Sequence, residues 1–382
     1  MAGSAPNVFV IDGSHGEGGG QILRTALSLA AITGRALRIE RIRAGRPKPG
    51  LAAQHLTAIR AAAAICGASV IGDELGSTTL EFSPATPPVA GSYDFDVADA
   101  REGGSAGAVT LVLQTLCVPL GLLPEPSTVS VKGGTHVPWS PSFDYLRDVW
   151  LKMLGRLGIA GGAKLNAWGF YPAGCGSITM ELDGMGATAS SLKPLNLIER
   201  GPIVAVEGRA VAANLPSHIA QRMTNRAEVL LGPLAVPISI NAERVRSVSP
   251  GTGIYLTAIY QNAIAGFSGS GRKGKPAETV AEEVAGDLLD HHACGATLDR
   301  HMADQILLPM AFAGGASQFT CPTVTRHLQT NAWVIERFGV ARIEIAQAPL
   351  ETGRVTVAPT SGAAARRKLG AAVGDPRADE QS

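Results

Sequence analysis

Five cysteines in 382 residues, with no CxxC pair among them, cannot build a disulfide framework. Cys66, Cys117, Cys175, Cys294 and Cys321 are widely spaced and odd in number, and no secretory leader is expected ahead of them. Reduced thiols and a cytoplasmic setting are the expectation. Long apolar runs are also missing. A bilayer span needs roughly 20 such residues, and the best candidates, Ala26–Ala31 and Leu111–Leu123, are broken by polar or small residues. No membrane partner is expected. Nor is there an excess of charge of one sign. Lys and Arg number 33 against 32 Asp and Glu, a net charge of +1, so the molecule as a whole is no bulk polyanion binder. Two nucleotide signatures fail as well. No GxxxxGK[ST] occurs, so any ATP site must be built another way. Gly269–Gly274 matches GxGxxG, but Pro276 delays the following helix and no regular βαβ unit with its acid comes after it.

At this length the chain should hold more than one unit, and the periodicity repeats. Strand Asn7–Ile11, a glycine-rich loop, helix Gly20–Thr33 stopped by Gly34, strand Ala36–Arg43, helix Leu51–Ile65 closed by Gly67, and strands Ala68–Ile71 and Thr78–Phe82 form one copy. A second runs Tyr93–Val97, helix Gly107–Leu120, Thr128–Val131, helix Phe143–Leu157 and the hairpin Ala163–Ala167 with Ser177–Leu182. The third has helix Met302–Ala313, strand Gln318–Val324, helix Arg326–Phe338 and strands Ala341–Ile345 and Arg354–Val357, with no clear opening strand. Residues 187–286 do not fit the pattern; they read as strands Ile203–Val206, Ile238–Ile240 and Tyr255–Tyr260 with helices His218–Leu231 and Ala277–Asp290. The expected fold class is therefore layered α/β. Three strand-helix-strand-helix-hairpin repeats (residues 1–186 and 287–359) carry a smaller α/β domain (187–286) inserted before the third. The first few residues and the tail from about Thr360 (360–382) read as disordered.

Four constellations carry chemistry. The loop Asp12-Gly-Ser-His15-Gly-Glu17-Gly-Gly-Gly-Gln21 lets a backbone approach an anion at the start of a helix, with Arg24 one turn in and Glu17 able to share a divalent ion with a phosphate. Arg35, Arg38, Arg41, Arg43, Arg46 and Lys48 crowd together with only Glu40 against them, either as an anion patch or as a solvated strand edge. Within that run Arg43 and Arg46, followed by Gln54 and His55, aim fork-shaped donors at one spot, which suits a terminal phosphate better than a duplex. His301-Met302-Ala303-Asp304-Gln305 opens an apolar helix. Asp304 and Gln305 there read a ribose or base, or simply cap the first turn. His327, behind Thr325, sits at a helix start whose free N–H groups suit a phosphorylated intermediate.

Together, His15–Arg24, Ile42–Leu56, Gly104–Gln114, Gly169–Gly176, Met302–Gly315 and Thr325–Phe338 resemble, in order, the motifs of the RNA 3′-terminal phosphate cyclase family. That resemblance implies three repeats with a small insert, and an ATP-dependent reaction with Mg²⁺ or Mn²⁺. In it His327 takes AMP from ATP and passes it to an RNA 3′-phosphate, which the neighbouring 2′-OH then closes to a 2′,3′-cyclic phosphate. By position Glu17 resembles the metal contact. Arg24, Arg43, Arg46, Gln54 and His55 resemble the phosphate site. Gln114, Pro141 and His301–Gln305 fall where ATP binds. The chain departs from the family pattern at His301, often Tyr, and at Trp168 and Cys175. Its partners are then RNA 3′-phosphate ends and ATP, with the oligomeric state open. Two other readings share the scaffold: a non-catalytic cyclase-like ribosome-assembly protein, and an enolpyruvyl-type transferase that needs no His327.

Overall fold

The computed structural model of the chain describes residues 8–100, 105–186, 191–348 and 351–361. Asn7, Gly104, the insert boundary at Ala187 and the tail beyond Ser361 lie outside the described residues. Thr360, where the tail was expected to begin, is still held, its N–H on the Val340 carbonyl (2.9 Å).

The first unit comprises β1 (Phe9–Asp12), α1 (Gly20–Thr33), β2 (Leu37–Glu40), α2 (Ala53–Cys66), β3 (Ser69–Ile71) and β4 (Leu80–Ser83). The second has β5 (Ser92–Asp96), α3 (Val109–Gly121) and β6 (Ser127–Gly133), then α4 (Phe143–Tyr145), a π-turn at Leu146–Trp150 and α5 (Leu151–Leu157), and last β7 (Gly161–Ala167) and β8 (Gly176–Leu182). Next come β9 (Asn196–Leu197), β10 (Ile203–Ala213), α6 (His218–Leu231), β11 (Ile238–Val245), β12 (Gly251–Tyr260), β13 (Ile264–Ser270) and α7 (Ala277–Cys294). The chain ends with α8 (Met302–Gln305), α9 (Leu307–Met310), β14 (Ser317–Cys321), α10 (Arg326–Phe338), β15 (Ala341–Ala346) and β16 (Gly353–Pro359).

Three of the four sheets have one order, first–second–fourth–third: β1-β2-β4-β3, β5-β6-β8-β7 and β9-β14-β16-β15. Their first two strands run parallel and the rest antiparallel. The opening strand that the periodicity did not reveal is β9. It pairs only Asn196 and Leu197 with Gln318 and Phe319, too short a run to show alternation. It also lies inside 187–286, so that segment begins within the third sheet's own chain. The remaining sheet, β11-β10-β12-β13, has α6 and α7 against it.

Helices face inward. α1 touches α2, α3 and α10, which is why Ile22, Leu23, Ala26, Leu27, Leu29 and Ala30 are buried all around it rather than along one stripe. Truncating fully buried Leu27 to Ala would cost roughly 2–5 kcal/mol. Among the predicted elements that come out shorter or divided, two do so for plain local reasons. β2 stops at Glu40 because Arg41 and Arg43 take left-handed backbone (φ +54° and +55°). The helix expected over Met302–Ala313 is split into α8 and α9, since Pro309 has no N–H to offer the Gln305 carbonyl.

Candidate active site

The amino ends of α1, α2, α3 and α10 come together. A helix start carries a partial positive charge, so their meeting point favours an anion. α10 opens on Thr325, whose hydroxyl accepts from the Leu328 N–H (3.1 Å), and His327 is its second residue. The same face packs on the glycine-rich loop: the Glu17 N–H donates to Thr330 Oγ1 (3.1 Å). Gly16, with φ +58°, lies so close to that hydroxyl that a Cβ would overlap it.

His327 is held from one side. Its Nδ1 lies 2.9 Å from Gln21 Oε1, and the Gln21 amide nitrogen donates in turn to Asp304 Oδ2. A carboxylate accepts only, so Asp304 fixes which way the Gln21 amide faces, and Gln21 Oε1 then fixes the proton on Nδ1. Nε2 keeps its lone pair, and no hydrogen bond engages it among the described residues. The side chain is 52% exposed. Burial, helped by Arg24 and Arg46 and opposed by Asp304, pushes the imidazole below its usual pKa, so it is neutral near pH 7. Asn331 ties the arrangement together: its Nδ2 donates to the Asp304 carbonyl (2.6 Å) and its Oδ1 accepts from Thr25 (2.7 Å).

Around this nucleophile-like nitrogen sit the cations. Arg24 is pulled down to about 10 by burial, with Asp304 opposing, and stays charged. Arg43 hydrogen-bonds the Gly50 carbonyl (2.7 Å). Arg46 pairs with Glu17 Oε1. His55 is buried, and burial with Arg24 and Arg43 lowers it to about 3. Its Nδ1 accepts from the Ala52 N–H (3.0 Å), which leaves Nε2–H as a neutral donor. A Cβ at Gly20 would collide with that nitrogen, so glycine there keeps the donor open. The wider basic run divides. Arg38 pairs with Glu40 and Glu81, Arg41 with Asp12, and Arg35 lies over Phe9 (4.2 Å).

Glu17 tests the expected metal. Its Oε2 is 2.6 Å from His327 Nδ1 yet makes no hydrogen bond and is buried. That orphaned oxygen fits a divalent cation. Among the described residues no three His, Cys, Asp or Glu side chains converge to cage one. Magnesium commonly accepts this, binding through one or two carboxylates plus substrate phosphates.

The remaining predicted residues divide by what they can offer. Gln114 donates to Gln305 Oε1 (2.7 Å), and Thr110 donates to the Pro141 carbonyl (2.8 Å), so α3, Pro141 and α8 are one neighbourhood. His301 stands at the start of α8 with part of its ring open to solvent; the desolvation of the rest lowers its pKa with help from Arg300 and His327, against Asp299. Asp304 is buried and raised to about 6. Met302 and Ala303 are core residues, 0% and 1% exposed, with their N–H groups taken by Asp299. Gln54 Oε1 accepts from the Ala108 N–H (2.9 Å) and so braces the start of α3. Trp168 stacks on His136 (4.5 Å), and Cys175 is exposed with φ +55°. Sequence reasoning missed the roles of Gln21, Thr330 and Asn331. The latter two lie three and four residues after His327, hence on its helical face, and that spacing was the available signal.

Comparison with known proteins adds the decisive observation. The model of the family described as RNA 3′-terminal phosphate cyclase matches residues 15–345. The chain belongs to that family. It is 53% identical over 347 residues to the RNA 3′-terminal phosphate cyclase of Methylococcus capsulatus, covering 91% of this chain and 95% of that protein. The cyclase of Trichormus variabilis is 54% identical over 338 residues, 88% of this chain and 96% of the relative. The likeness extends to Hyperthermus butylicus, at 42% over 336 residues, 86% of this chain and 91% of the relative. All six stretches named in the sequence fall within the matched residues 15–345. No helix among the described residues is long and apolar enough to cross a membrane.

Proposed function

We propose that this chain converts an RNA 3′-terminal phosphate to a 2′,3′-cyclic phosphodiester at the expense of ATP, through AMP bound to His327. The observation that carries the reading is the state of that histidine: neutral, its Nδ1 proton held by Gln21 and its Nε2 lone pair free.

The steps balance as follows. The Nε2 lone pair attacks the α-phosphorus of ATP, the bond to the bridging oxygen breaks, and pyrophosphate leaves. An oxygen of the RNA 3′-phosphate then attacks the same phosphorus. The P–N bond breaks, its electrons return to Nε2, and the RNA now ends in a diphosphate linked to adenosine. The 2′-OH attacks the 3′-phosphorus, loses its proton, and expels AMP. Charge grows on phosphoryl oxygens at each stage, where Arg24, Arg43, Arg46 and the His55 Nε2–H are suited to receive it. Glu17 Oε2, with the nucleotide's own phosphates, would hold a Mg²⁺ or Mn²⁺ ion that neutralises that charge. Gln114, Pro141, His301, Asp304 and Gln305 line the nucleotide's side, with Met302 and Ala303 as its floor. We assign the chemistry to residues 1–186 and 287–359, with 187–286 interposed.

Incubation with α-labelled ATP and metal tests this. The intact protein should retain label and His327→Ala should lose it by at least about 10³-fold, the scale on which a covalent nucleophile is missed. Label kept by the substituted protein would remove the nucleophile. A DNA 3′-phosphate, lacking the 2′-OH, should accept AMP and never cyclise.

A further inference from the structure

Two large aromatic side chains stand in water beside this site. Trp139 is 99% exposed and Tyr171 is 69% exposed. Trp139 also has φ +66°, a backbone region that a bulky L-residue adopts only when its surroundings impose it. They do so here. Ser140 Oγ donates to the Val137 carbonyl (3.0 Å), Thr110 holds the Pro141 carbonyl (2.8 Å), and the Phe143 N–H donates to the Thr135 carbonyl (3.1 Å). The loop is pinned at both ends, and what it presents is an indole with no packing of its own.

Tyr171 comes from the adjoining loop. His136 and Phe170 pair as a β-bridge, so Trp139 and Tyr171 depart three residues and one residue beyond a shared point. Beneath them the floor is rigid. His136 lies against both Trp168 (4.5 Å) and Phe170 (5.5 Å), whose rings are 6.0 Å from each other, and the Arg209 guanidinium lies over Trp168 (4.8 Å). On one flank, α3 links the Trp139 loop to Gln54 and hence to the neighbouring His55. On the other flank the loop meets the sheet of residues 203–270. Trp168 bridges Ser247, and the Ala173 N–H donates to Ser249 Oγ (3.0 Å).

That meeting edge is basic. Arg244 and Arg246 are exposed where β11 ends. β13 finishes beside Thr252, its Gly271 N–H on the Thr252 carbonyl (2.8 Å), and runs on into exposed Arg272 and Lys273. Lys275 is taken by Glu283, whereas no ion pair among the described residues takes up Arg246, Arg272 or Lys273. The glycine-rich stretch that resembled a dinucleotide loop is thus a basic turn at the end of a strand.

An anion pocket, then stacking faces, then loose cations match the parts of a single strand in order: terminal phosphate, bases, upstream phosphates. We propose that Trp139, Tyr171 and the turns bearing Arg244, Arg246, Arg272 and Lys273 form a track for the single-stranded 3′ segment of an RNA. Its bases stack on the two aromatics, and its upstream phosphates meet the cations of the inserted segment. The proposal rests on the reading of the Arg24–His55 pocket as the seat of the 3′-phosphate.

Fluorescence anisotropy with a 3′-phosphorylated RNA decamer, beside the same decamer made abasic, tests the track. Trp139→Ala should weaken binding of the ordinary decamer about tenfold, within the range of one lost base–aromatic stack, and leave the abasic decamer unaffected. Trp139→Phe should recover part of the loss, which a merely unfolded loop would not. Arg246→Ala combined with Lys273→Ala should weaken both decamers and flatten the slope of log affinity against log salt by about 1.4, two phosphate contacts' worth on a single strand. Wild-type affinity in both the Trp139→Ala and the double variant would overturn the track, as would equal loss on ordinary and abasic RNA. Self-labelling of the unaltered protein with α-labelled ATP is read separately. Its absence would count against the proposed function and leave the binding results to judge the track.

Discussion

His136 and His327 keep similar company. Each has a buried aspartate and an arginine close by, and burial lowers the pKa of both. They differ in what remains free. His136 Nε2 is 2.9 Å from Asp144 Oδ2, its Nδ1 is 2.8 Å from the Thr135 hydroxyl, and its side chain is wholly buried among aromatic rings. Both nitrogens are spoken for. At His327 the aspartate acts at one remove, through Gln21, and only Nδ1 is engaged. The ring is half exposed. An acid beside a histidine therefore does not distinguish a reactive site from a structural one here; a vacant nitrogen with access does.

The largest effect expected short of removing His327 itself comes from Gln21. Gln21→Ala deletes the oxygen 2.9 Å from Nδ1 and the tie to Asp304, leaving only Glu17 Oε2 beside that nitrogen, so the ring and its attacking lone pair are held less firmly. Self-labelling with α-labelled ATP should fall on the order of 10²-fold. That is less than the roughly 10⁴-fold seen where a charged orienting partner is lost. An unchanged rate would mean that helix geometry alone orients the ring, and the contrast with His136 would rest on access only.

His136→Ala should do the opposite. Asp144 would keep Arg209 but lose the partner of its other oxygen, and Trp168 and Phe170 would each lose a stacked neighbour. A loss of roughly 2–4 kcal/mol in unfolding free energy is expected, from a buried unsatisfied acceptor plus a cavity. Label uptake per folded molecule should change less than about twofold, well under one kcal/mol. Chemical denaturation and labelling on the same preparation separate the two, and abolished labelling in folded protein would break the comparison.

What was readable in the sequence follows the range of the interactions. The layered α/β class, helices such as Arg326–Phe338 and the tight turn of the glycine loop are local, set by periodicity and turn chemistry. β9 was not readable because two residues carry no period; its pairing with β14 spans the whole inserted segment. The π-turn at Leu146–Trp150 looked like plain helix for the same reason: its apolar spacing is helical. Within the site the separate cations and His327 could be named, but not the relay Asp304–Gln21–His327. Its members lie 283 and 306 residues apart in the chain, and Gln21 resembles any other polar residue in a first helical turn.

The finest test of the comparison concerns the aspartates. Burial raises Asp304 to about 6, against the opposing pull of His327, Gln21 and Arg24, whereas His136 and Arg209 hold Asp144 below its ordinary value despite burial. The consequences for stability have opposite sign. Between about pH 4, where an unfolded aspartate titrates, and about pH 6, the folded chain binds more protons at Asp304 than the unfolded one. Stability from this group therefore falls as pH rises through that window, and at neutral pH its ionised form is a net cost. Asp144 contributes stability above its unfolded pKa, lost as pH falls through its depressed folded value. Asp304→Asn keeps an oxygen for the Gln21 amide and removes the charge, so its thermal midpoint at pH 7 should hold or rise. The charge on Asp304 also raises the pKa of His327. Without it the imidazole stays neutral further into acid, and the acid limb of self-labelling should move to lower pH. An acid limb that stays in place between pH 5 and 8 would show that Asp304 and His327 do not titrate together. The relay through Gln21 would then orient the ring without tuning it.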